Sequence, residues 1–484
     1  MLLAAIAFAG CSPTAEPQGI WAKLWSLEVG PDYQRPQVAQ PLDFRSQIGP
    51  SEAASLADQP WWRVFRDKPL QEMIVTALTH NYDLQFAAAR VAQARALVGV
   101  AISPLYPQIG YQSFAGREKT FVPLEEAGGN LTFNAFGGLF DLVWEIDVWG
   151  RIRRSTEAAR ANLFSQEAVR RGVMLTLVSD VAAGYFSLLE LDRELAIARE
   201  SSKTYKETLN LFTQRFEFGR DSKLPVARAQ ANYDSSIANI ASLKRAITQQ
   251  ENAISILLGA YPEQIPRGRQ LEAQFTPATP IGLTTDLLQR RPDIMQAEQN
   301  MIGANAEVGV AIANFFPRVG LSALYGGQSP NIGDVVNENF SIWNIAAGVA
   351  GPIFQGGRIL ETYHAQQAFW DGTIAQYKQT ILVAFREVSD ALIAQQTLIA
   401  QRTAQEHQVA ALREAVELAL LRYNVGRASY FEVLEAEQLL FPAQDALAQT
   451  QRDQLLAVVN LYKALGGGWN FSNAQWNEVQ GDNL

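Results

Sequence analysis

The sequence of 484 residues has a single cysteine, Cys11, so no disulfide bond forms within the chain. It also lacks an uninterrupted apolar run of the roughly 20 residues that a transmembrane helix needs. If the chain crosses a membrane, strands are therefore the expected route. Charged residues make up only 18%, below the roughly 25% usual for soluble domains, so part of the surface is expected to face something other than water. The net charge of −9 argues against a nucleic-acid partner.

Sequence patterns of catalysis are also missing. The chain has no glycine-rich phosphate loop, no GxSxG, no HExxH and no CxxC. Its three histidines, His80, His364 and His407, are scattered, and its five methionines do not cluster. We therefore expect neither an enzyme nor a bound cofactor or metal, and energy for any transport would come from another protein.

The N-terminus reads MLLAAIAFAGC, an uncharged, mostly apolar run that ends in Ala-Gly-Cys. This pattern is typical of a bacterial signal peptide over residues 1–10, followed by a cysteine that receives a lipid. We expect Cys11 to carry that covalent lipid. Ser12 at the next position suggests sorting to the outer membrane, by resemblance to bacterial lipoproteins. The alternative is an ordinary free thiol near a frayed terminus.

The sequence consists of two similar halves. VGVAISPLYPQIG, which starts at Val98, recurs as VGVAIANFFPRVG from Val308, a separation of 210 positions (308 − 98). RFEFGR, which starts at Arg215, recurs as RYNVGR from Arg422, a separation of 207 positions (422 − 215). The difference of three residues marks a loop, where length changes are tolerated. The sequence thus predicts an internal two-fold repeat.

Each half predicts a helix, two strands, a very long helix and a return helix. The first helices span about 69–103 and 292–314, and the long helices span 151–218 and 358–425, without an internal proline. At about 1.5 Å per residue each long helix would extend roughly 100 Å. Such lengths exceed a compact domain and favour a coiled-coil arrangement.

The strands carry a membrane signal. Between Phe136 and Val148 one parity is apolar, while the other contains Asp141, Glu145 and Asp147. This alternation is typical of a strand with one greasy and one wet face. Trp144, Trp149, Trp343 and nearby phenylalanines could form aromatic girdles; a soluble sandwich with core aromatics is the alternative. Four strands cannot close a barrel, so several chains must share one if the strands lie in lipid.

Six stretches together resemble the TolC-like outer-membrane efflux family, in particular its NodT-type lipoprotein branch. They are the Ala-Gly-Cys context of Cys11, VGPDYQRP from Val29, WEIDVWGRIRR from Trp144, LLQRRPDIMQAE from Leu287, RYNVGRASYFEVLEAEQ from Arg422 and LYKALGGGW from Leu461. The resemblance implies a mixed α and β fold. Three chains would form a membrane β-barrel of twelve strands, four from each, continued by a long periplasmic α-helical coiled-coil tunnel. It also implies a passive exit duct that works with a periplasmic adaptor and an inner-membrane pump of the resistance-nodulation-division type, and that contacts outer-membrane lipid.

The resemblance also assigns roles near the two glycine-broken helix ends. It implies a periplasmic gate that consists of Tyr423, Phe431, Glu432 and Glu435. Tyr423 would help to hold the closed state, Phe431 would belong to an apolar constriction, and the two glutamates would form an acidic ring. Adaptor docking is expected at the two tips, at Arg215, Gly219, Arg422 and Gly426. An ion pair between Arg228 and a gate glutamate is a weaker expectation.

The predicted division of the chain follows the repeat. A lipidated N-terminal segment spans 11–68, the first repeat 69–262, an equatorial linker 263–283, the second repeat 284–469 and a C-terminal tail 470–484. The expected function is export of drugs or other small molecules. Type I protein secretion and metal efflux use similar ducts and remain alternatives. A lipid-anchored periplasmic structural coiled coil is an alternative from a different class.

Overall fold

The computed structural model describes residues 27–38, 41, 43–45, 47, 55–58, 60, 64–122, 129–275 and 287–467. Cys11 and the predicted signal peptide lie outside this range, as does the predicted tail. The described chain falls into two compact units. Among the described residues, the first consists of those within 27–36, 92–165 and 298–376, and the second of those within 37–91, 166–297 and 377–467. Each unit takes segments from both sequence halves, so the units do not coincide with the two predicted repeats.

Both halves have the same order of elements. The first contains α1 (Lys68–His80), α2 (Tyr82–Ile102), β1 (Gln108–Val122), β2 (Gly129–Ile146), α3 (Arg151–Glu217) and α4 (Lys223–Leu257). The second contains α5 (Leu287–Arg290), α6 (Pro292–Ala313), β3 (Arg318–Ser329), β4 (Ser341–Ala350), α7 (Arg358–Asn424) and α8 (Tyr430–Ala464). The long helices α3 and α7 have 67 residues each, and the return helices α4 and α8 have 35 each. These bounds agree with the sequence prediction to within a few residues, except that the single helix predicted over 69–103 is two helices, α1 and α2, separated by the extended residue Asn81.

The first unit contains an antiparallel sheet in the order β1-β2-β3-β4. The register runs Tyr111–Phe140–Tyr325–Trp343 across all four strands, and these four aromatic side chains are between 61% and 79% exposed. Direct partners share a face, so this face also carries the apolar parity of β2. The opposite face carries Asp141 and Glu145. The register thereby also assigns a face to β4, whose sequence pattern was too rich in alanine and glycine to do so.

Of the three tryptophans predicted for an aromatic girdle, one lies in the exposed aromatic row of the sheet and two lie elsewhere. Trp343 lies in the exposed aromatic row of the sheet. Trp149 lies beyond the end of β2, where its ring stacks on Phe316 with centroids 4.7 Å apart and its indole N–H donates to the Pro317 carbonyl at 2.7 Å. Trp144 donates to the Leu105 carbonyl at 3.0 Å. Through these indole N–H groups, Trp144 and Trp149 hydrogen-bond the backbone at the end of the sheet that lies nearest the helices.

The VGPDYQRP segment folds along the same end of the sheet. The Val29 amide donates to the Trp149 carbonyl at 3.1 Å. Arg154 of α3 is buried and forms ion pairs with Glu28 at 3.0 Å and Asp32 at 2.8 Å. Arg35 binds Glu298 of α6 at 2.5 Å. A buried guanidinium needs such partners, which explains the acids and the arginine of this segment.

The second unit has its core where the ends of the return helices meet α3. Tyr185 and Tyr462 are fully buried there. Asp67 accepts hydrogen bonds from the Tyr185 hydroxyl at 3.2 Å and the Gln274 side chain at 2.7 Å. The segment after α4 packs back through Arg267, which pairs with Asp192 and Glu251. The described part of the predicted linker, residues 263–275, is therefore held against α3 and α4.

Two helical stretches are long and apolar enough to cross a membrane by length and composition, although each contains charged residues. They are Lys68–Leu105 and Arg151–Glu217, and each has an 18-residue apolar window. In Arg151–Glu217 more than half of that window is buried within the protein. Core helices have the same property, so the windows are weak indicators of a membrane span.

Candidate functional site at the hairpin tips

The two hairpin tips of the second unit close with the same backbone geometry. Gly219 ends the first long helix with φ +66°, and Gly426 ends the second with φ +73°. Around them, the Arg220 amide donates to the Arg215 carbonyl and the Arg427 amide to the Arg422 carbonyl, both at 2.8 Å. These are Schellman caps, in which a left-handed glycine lets the chain turn while the last helical carbonyls keep their partners.

Arg215 and Tyr423 join the two hairpins. The Arg215 guanidinium donates a hydrogen bond to the Tyr423 hydroxyl, and its central carbon lies 5.3 Å from the centre of that ring. Arg215 also lies 3.5 Å from Asp221 at the first tip. The pKa of Tyr423 is raised, mainly because the phenol is partly buried. Tyr423 therefore stays a neutral hydroxyl, able to accept this bond.

Beneath this contact lies an aromatic cluster. Tyr430, the first residue of α8, packs edge-on against Phe212 with centroids 4.7 Å apart and against Tyr423 at 5.2 Å. Its hydroxyl hydrogen-bonds the Thr208 hydroxyl. Val433, one turn further along α8, is fully buried in the same cluster. Tyr430 thus links α8 to both long helices, and burial raises its pKa above the normal range of tyrosine.

The residues predicted to form the gate differ from one another in their surroundings. Phe431 is 58% exposed and, with Gly426, lines a cavity of about 480 Å³ between the two tips. Glu432 pairs with Arg422 at 3.4 Å, so part of its charge is compensated within the hairpin. Glu435 is exposed and forms no ion pair in the described part of the chain. The two members of the predicted acidic ring are thus not equivalent in a single chain.

The four residues predicted for adaptor docking fall into two groups, two that face open space and two that contact residues predicted for gating. Gly219 and Gly426 face open space, since a Cβ at either position would meet no atom within 4 Å. Arg215 and Arg422, by contrast, each contact a residue predicted for gating, Tyr423 and Glu432. The weaker expectation of an Arg228–glutamate pair finds no counterpart among the ion pairs of the described residues. Arg228 is exposed and lines the cavity between the tips.

Glu437 is a further tip residue that sequence reasoning missed. It is 2% exposed, its Oε2 atom has no hydrogen-bond partner in the part of the chain that the structure describes, and burial raises its pKa to about 7. It lines a groove of about 370 Å³ with Tyr430 and with Glu200 and Glu207 of α3. The sequence contained an indication of this position, because Tyr430 and Glu437 are seven residues apart and so share one helix face.

The RRPDI motif has a structural role in the same unit. Arg291 is buried and binds Asp293 and Glu387, both at 2.7 Å, while it also donates to the Ala464 carbonyl at 2.9 Å. Arg290 pairs with Asp58 at 2.6 Å. Both arginines of the motif therefore pair with acids.

Comparison with known proteins assigns the class. The family model described as "Outer membrane efflux protein" matches residues 73–260 and 283–467. The chain is 34% identical over 454 residues to the toluene efflux pump outer membrane protein TtgC of Pseudomonas putida, covering 93% of this chain and 94% of that protein. It is 31% identical over 452 residues to the cation efflux system protein CusC of Escherichia coli K12, covering 92% and 97%.

Solved structures agree with this class. The outer-membrane channel OprN superposes with a TM-score of 0.85 at 28% identity, covering 91% of this chain and 99% of that one. A crystal structure of CusC gives a TM-score of 0.81 at 30% identity, covering 91% and 100%. The chain belongs to the outer membrane efflux protein family. Its fold is the mixed α and β fold of that family, which confirms this part of the fold class expected from the resemblance, while the twelve-stranded trimer stays a prediction.

Proposed function

We propose that three copies of this chain form a passive outer-membrane duct of a tripartite efflux pump that exports small molecules from the periplasm. The observation that carries the proposal is the four-stranded sheet with one apolar face and with β1 and β4 as its two edges. Edges of that kind in lipid leave backbone groups unpaired at several kcal/mol each. Three sheets joined edge to edge would remove the unpaired edges and give twelve strands.

The class of cargo is proposed from the relatives. One relative is named for toluene and another for cations. We place this chain with the exporters of small organic molecules, with metal efflux and type I protein secretion as alternatives from the sequence. A duct needs no catalytic group, so the chain is proposed not to be an enzyme and to hold no cofactor.

The proposal has a direct test. Purified protein is separated on gels with and without heating and then reconstituted into planar bilayers. We expect a heat-sensitive trimer band and single-channel conductance. A protein that inserts as a monomer, or that binds membranes through lipid alone without conducting ions, would instead support the lipid-anchored structural coiled coil.

Lipidation of Cys11 is a separate part of the proposal, supported by the Ala-Gly-Cys context. Radioactive palmitate should label the wild type, produced with a complete signal peptide, and not Cys11→Ser. An unlabelled wild type would contradict it. Because insertion of the barrel depends on the strands, we expect Cys11→Ser with another export signal still to reach the membrane.

The partners are proposed to be a periplasmic adaptor at the hairpin tips and an inner-membrane pump of the resistance-nodulation-division type. Open space at Gly219 and Gly426 supports docking there, because a bare backbone allows close approach. Gly219→Trp and Gly426→Trp should abolish drug tolerance and adaptor cross-linking while trimers persist. Leu418→Trp, on an exposed part of α7 away from the tip glycines, is the control. Unchanged tolerance in both glycine variants would place docking elsewhere.

A further inference from the structure

A cavity of about 390 Å³ lies in the first unit, where α6 and β4 end and β3 and α7 begin. Its polar lining consists of Asn314, Arg318, Gln355, Arg358 and Thr362. No carboxylate lines it. It is separate from the hairpin tips, and neither the gate nor the docking residues belong to it.

The two arginines of this cavity have no anionic partner in the described chain. Arg318 donates to the Asn314 side-chain oxygen at 3.4 Å, and Arg358 donates to the Gln355 side-chain oxygen. Both acceptors are neutral amides. The nearest acid along α7 is Glu361, which is exposed, lies 3.7 Å from His364 and does not line the cavity. Both arginines are exposed in the single chain, and two positive charges lie at one site without an acid beside them among the described residues.

The sequence repeat shows that this excess charge is specific to the second half. Arg151, the counterpart of Arg358 (358 − 207), is neutralised by both oxygens of Glu145 at 2.9 and 2.8 Å. The position that corresponds to Glu145 in the second half is Pro352 (145 + 207). The counterpart of Arg318 (318 − 210) is the neutral Gln108. The second half has thus gained one arginine and lost the acid that would neutralise the other.

The strand register places Arg318 on the polar face of the sheet. It has the parity of Leu324, which stands opposite Asp141, and it therefore lies on the face that would line the water-filled interior of a barrel. Asp141 is six residues further along the register, about 20 Å away at the rise of a strand. Glu145 stands opposite Gly320 on this face and is nearer, but both of its oxygens are bound to Arg151. Asp147 continues the same alternation beyond the end of β2, and its carboxylate is bound to the Arg153 guanidinium and to the amides of Ile152 and Arg153.

Pairing with β1 of a second copy would not by itself neutralise this charge. If that β1 (Gln108–Val122) pairs antiparallel with β4, as the proposed function requires, its Gln108 end lies near the end of β4. The one acid of β1, Glu118, is ten residues from Gln108, about 33 Å along the strand.

We propose that this cavity binds a small oxyanion, the carboxylate or phosphate group of a small molecule, between Arg318 and Arg358. Guanidinium groups bind both kinds of group with paired, charge-assisted hydrogen bonds. Gln355, Asn314 and Thr362 supply further polar contacts around the cavity. The site rests on the proposed function for its place on the export route, where it gives the duct a binding step for anionic cargo as the cargo enters the barrel.

The test uses inorganic pyrophosphate as the probe, titrated calorimetrically into detergent-solubilised trimers at low ionic strength. We expect saturable binding to the wild type, and at least tenfold weaker binding to Arg318→Gln and to Arg358→Gln. Arg318→Lys keeps the charge without the planar fork and should be intermediate. Arg220→Gln, an exposed arginine at the first tip, makes the same change in net charge and should bind as the wild type does.

Equal affinity in the wild type and both glutamine variants, or no binding to the wild type, would overturn the site. Circular dichroism and trimer bands identify a variant that has misfolded, and in that case Arg318→Lys decides. In bilayers under a KCl gradient, the Arg318→Gln/Arg358→Gln double variant should shift the reversal potential toward cation selectivity. Pyrophosphate binding that needs both arginines in a protein without conductance would contradict the proposed duct and leave the site standing.

Discussion

Arg215 of the first hairpin donates a hydrogen bond to the hydroxyl of Tyr423 on the second, which makes this contact a direct polar bond between the two tips. Both residues were singled out from the sequence, one for docking and one for gating. Their contact joins the two assignments, because a partner that displaces Arg215 would also release Tyr423. We therefore predict that docking and opening are coupled.

Breaking this bond should loosen the closed tips. Tyr423→Phe removes the acceptor and keeps the ring that packs on Tyr430, so we expect a higher open probability in bilayers with trimers intact. A hydrogen bond to a charged group contributes about 1.5–3 kcal/mol, which corresponds to roughly a tenfold to hundredfold change in the closed-to-open ratio. Arg220→Gln is the matched control, since Arg220 lies at the same tip and has no ion pair among the described residues. Wild-type gating in Tyr423→Phe would show that the contact is not a latch.

The two gate glutamates should contribute unequally to cation block. Glu432 is partly neutralised by Arg422, whereas Glu435 is exposed and unpaired in the described chain. Multivalent cations bind where like charges are close together and uncompensated. We expect Glu435→Ala to weaken block from the periplasmic side more than Glu432→Ala, and the double variant to weaken it most. Glu417→Ala, an exposed glutamate of α7, is the control. Block that survives in the double variant would move the acidic ring elsewhere.

Phe431 tests the apolar part of the same mouth. Its ring is largely exposed at the edge of the cavity between the tips. If it narrows the duct, Phe431→Ala should raise the conductance of the open state, measured in bilayers beside Leu439→Ala, an exposed leucine two turns further along α8. An equal rise in both variants would indicate general loosening of the helix rather than a constriction at Phe431.

The architecture was more predictable than the site. The spacing of the repeat and the glycines that end the long helices place α3 and α7 to within a residue or two, because helix length and termination are local properties. The face of β4 was not predictable, since its alternating residues are small; only pairing with β3 assigns Trp343 and Ile345 to the apolar side. The Arg422–Glu432 pair lies within one hairpin, yet the sequence assigned its two members to different roles.

Contacts between distant segments were the hardest to foresee. Arg215 and Tyr423 are 208 positions apart, and the sequence of neither segment indicates the other as its contact partner. The excess of positive charge at Arg318 and Arg358 emerges only from a comparison of the two halves position by position. In the first half, Arg151 is paired with Glu145. Glu437 was hidden by its neighbours, because an acid beside other acids suggests a solvated helix face.

Arg291 should matter far more to stability than its neighbour Arg290. Arg291 is buried and has three partners, two of them carboxylates, whereas Arg290 pairs at the surface with Asp58. We expect Arg291→Ala to cost about 2–3 kcal/mol, because Asp293, Glu387 and the Ala464 carbonyl each lose a hydrogen-bond partner, with water compensating part of the effect at the two carboxylates. Arg290→Ala should cost about 1 kcal/mol or less. The measurement is the temperature at which the trimer band is lost, and equal losses would contradict the assignment of Arg291 as the structural residue of the pair.

Glu437 should make the stability of the tips depend on pH. Burial raises its pKa to about 7 from an ordinary value of 4.5. The folded chain therefore holds a proton that the unfolded chain has lost between these two values, and stability falls as pH rises through this window. Above pH 7 a charge is buried without a partner, and the loss reaches on the order of 3 kcal/mol per chain. The trimer should therefore melt at a lower temperature at pH 8.5 than at pH 5.

Glu437→Gln separates this effect from other titrations. The amide keeps the shape without the charge, and the first half has the same residue at the corresponding position, Gln230 (437 − 207). We expect the variant to lose part of the fall in melting temperature between pH 5 and 8.5; the rest belongs to Glu190 and Asp445, because burial raises their pKa values to about 7 and about 6. Glu207→Gln, on the exposed rim of the same groove, should keep the wild-type dependence, and so should a variant of Glu200. Because Tyr205 and Tyr430 stay protonated throughout this range, they contribute no charge to it. An unchanged slope in Glu437→Gln would mean that Glu437 is paired or hydrated in the assembled duct, and the pH dependence would then belong to another group.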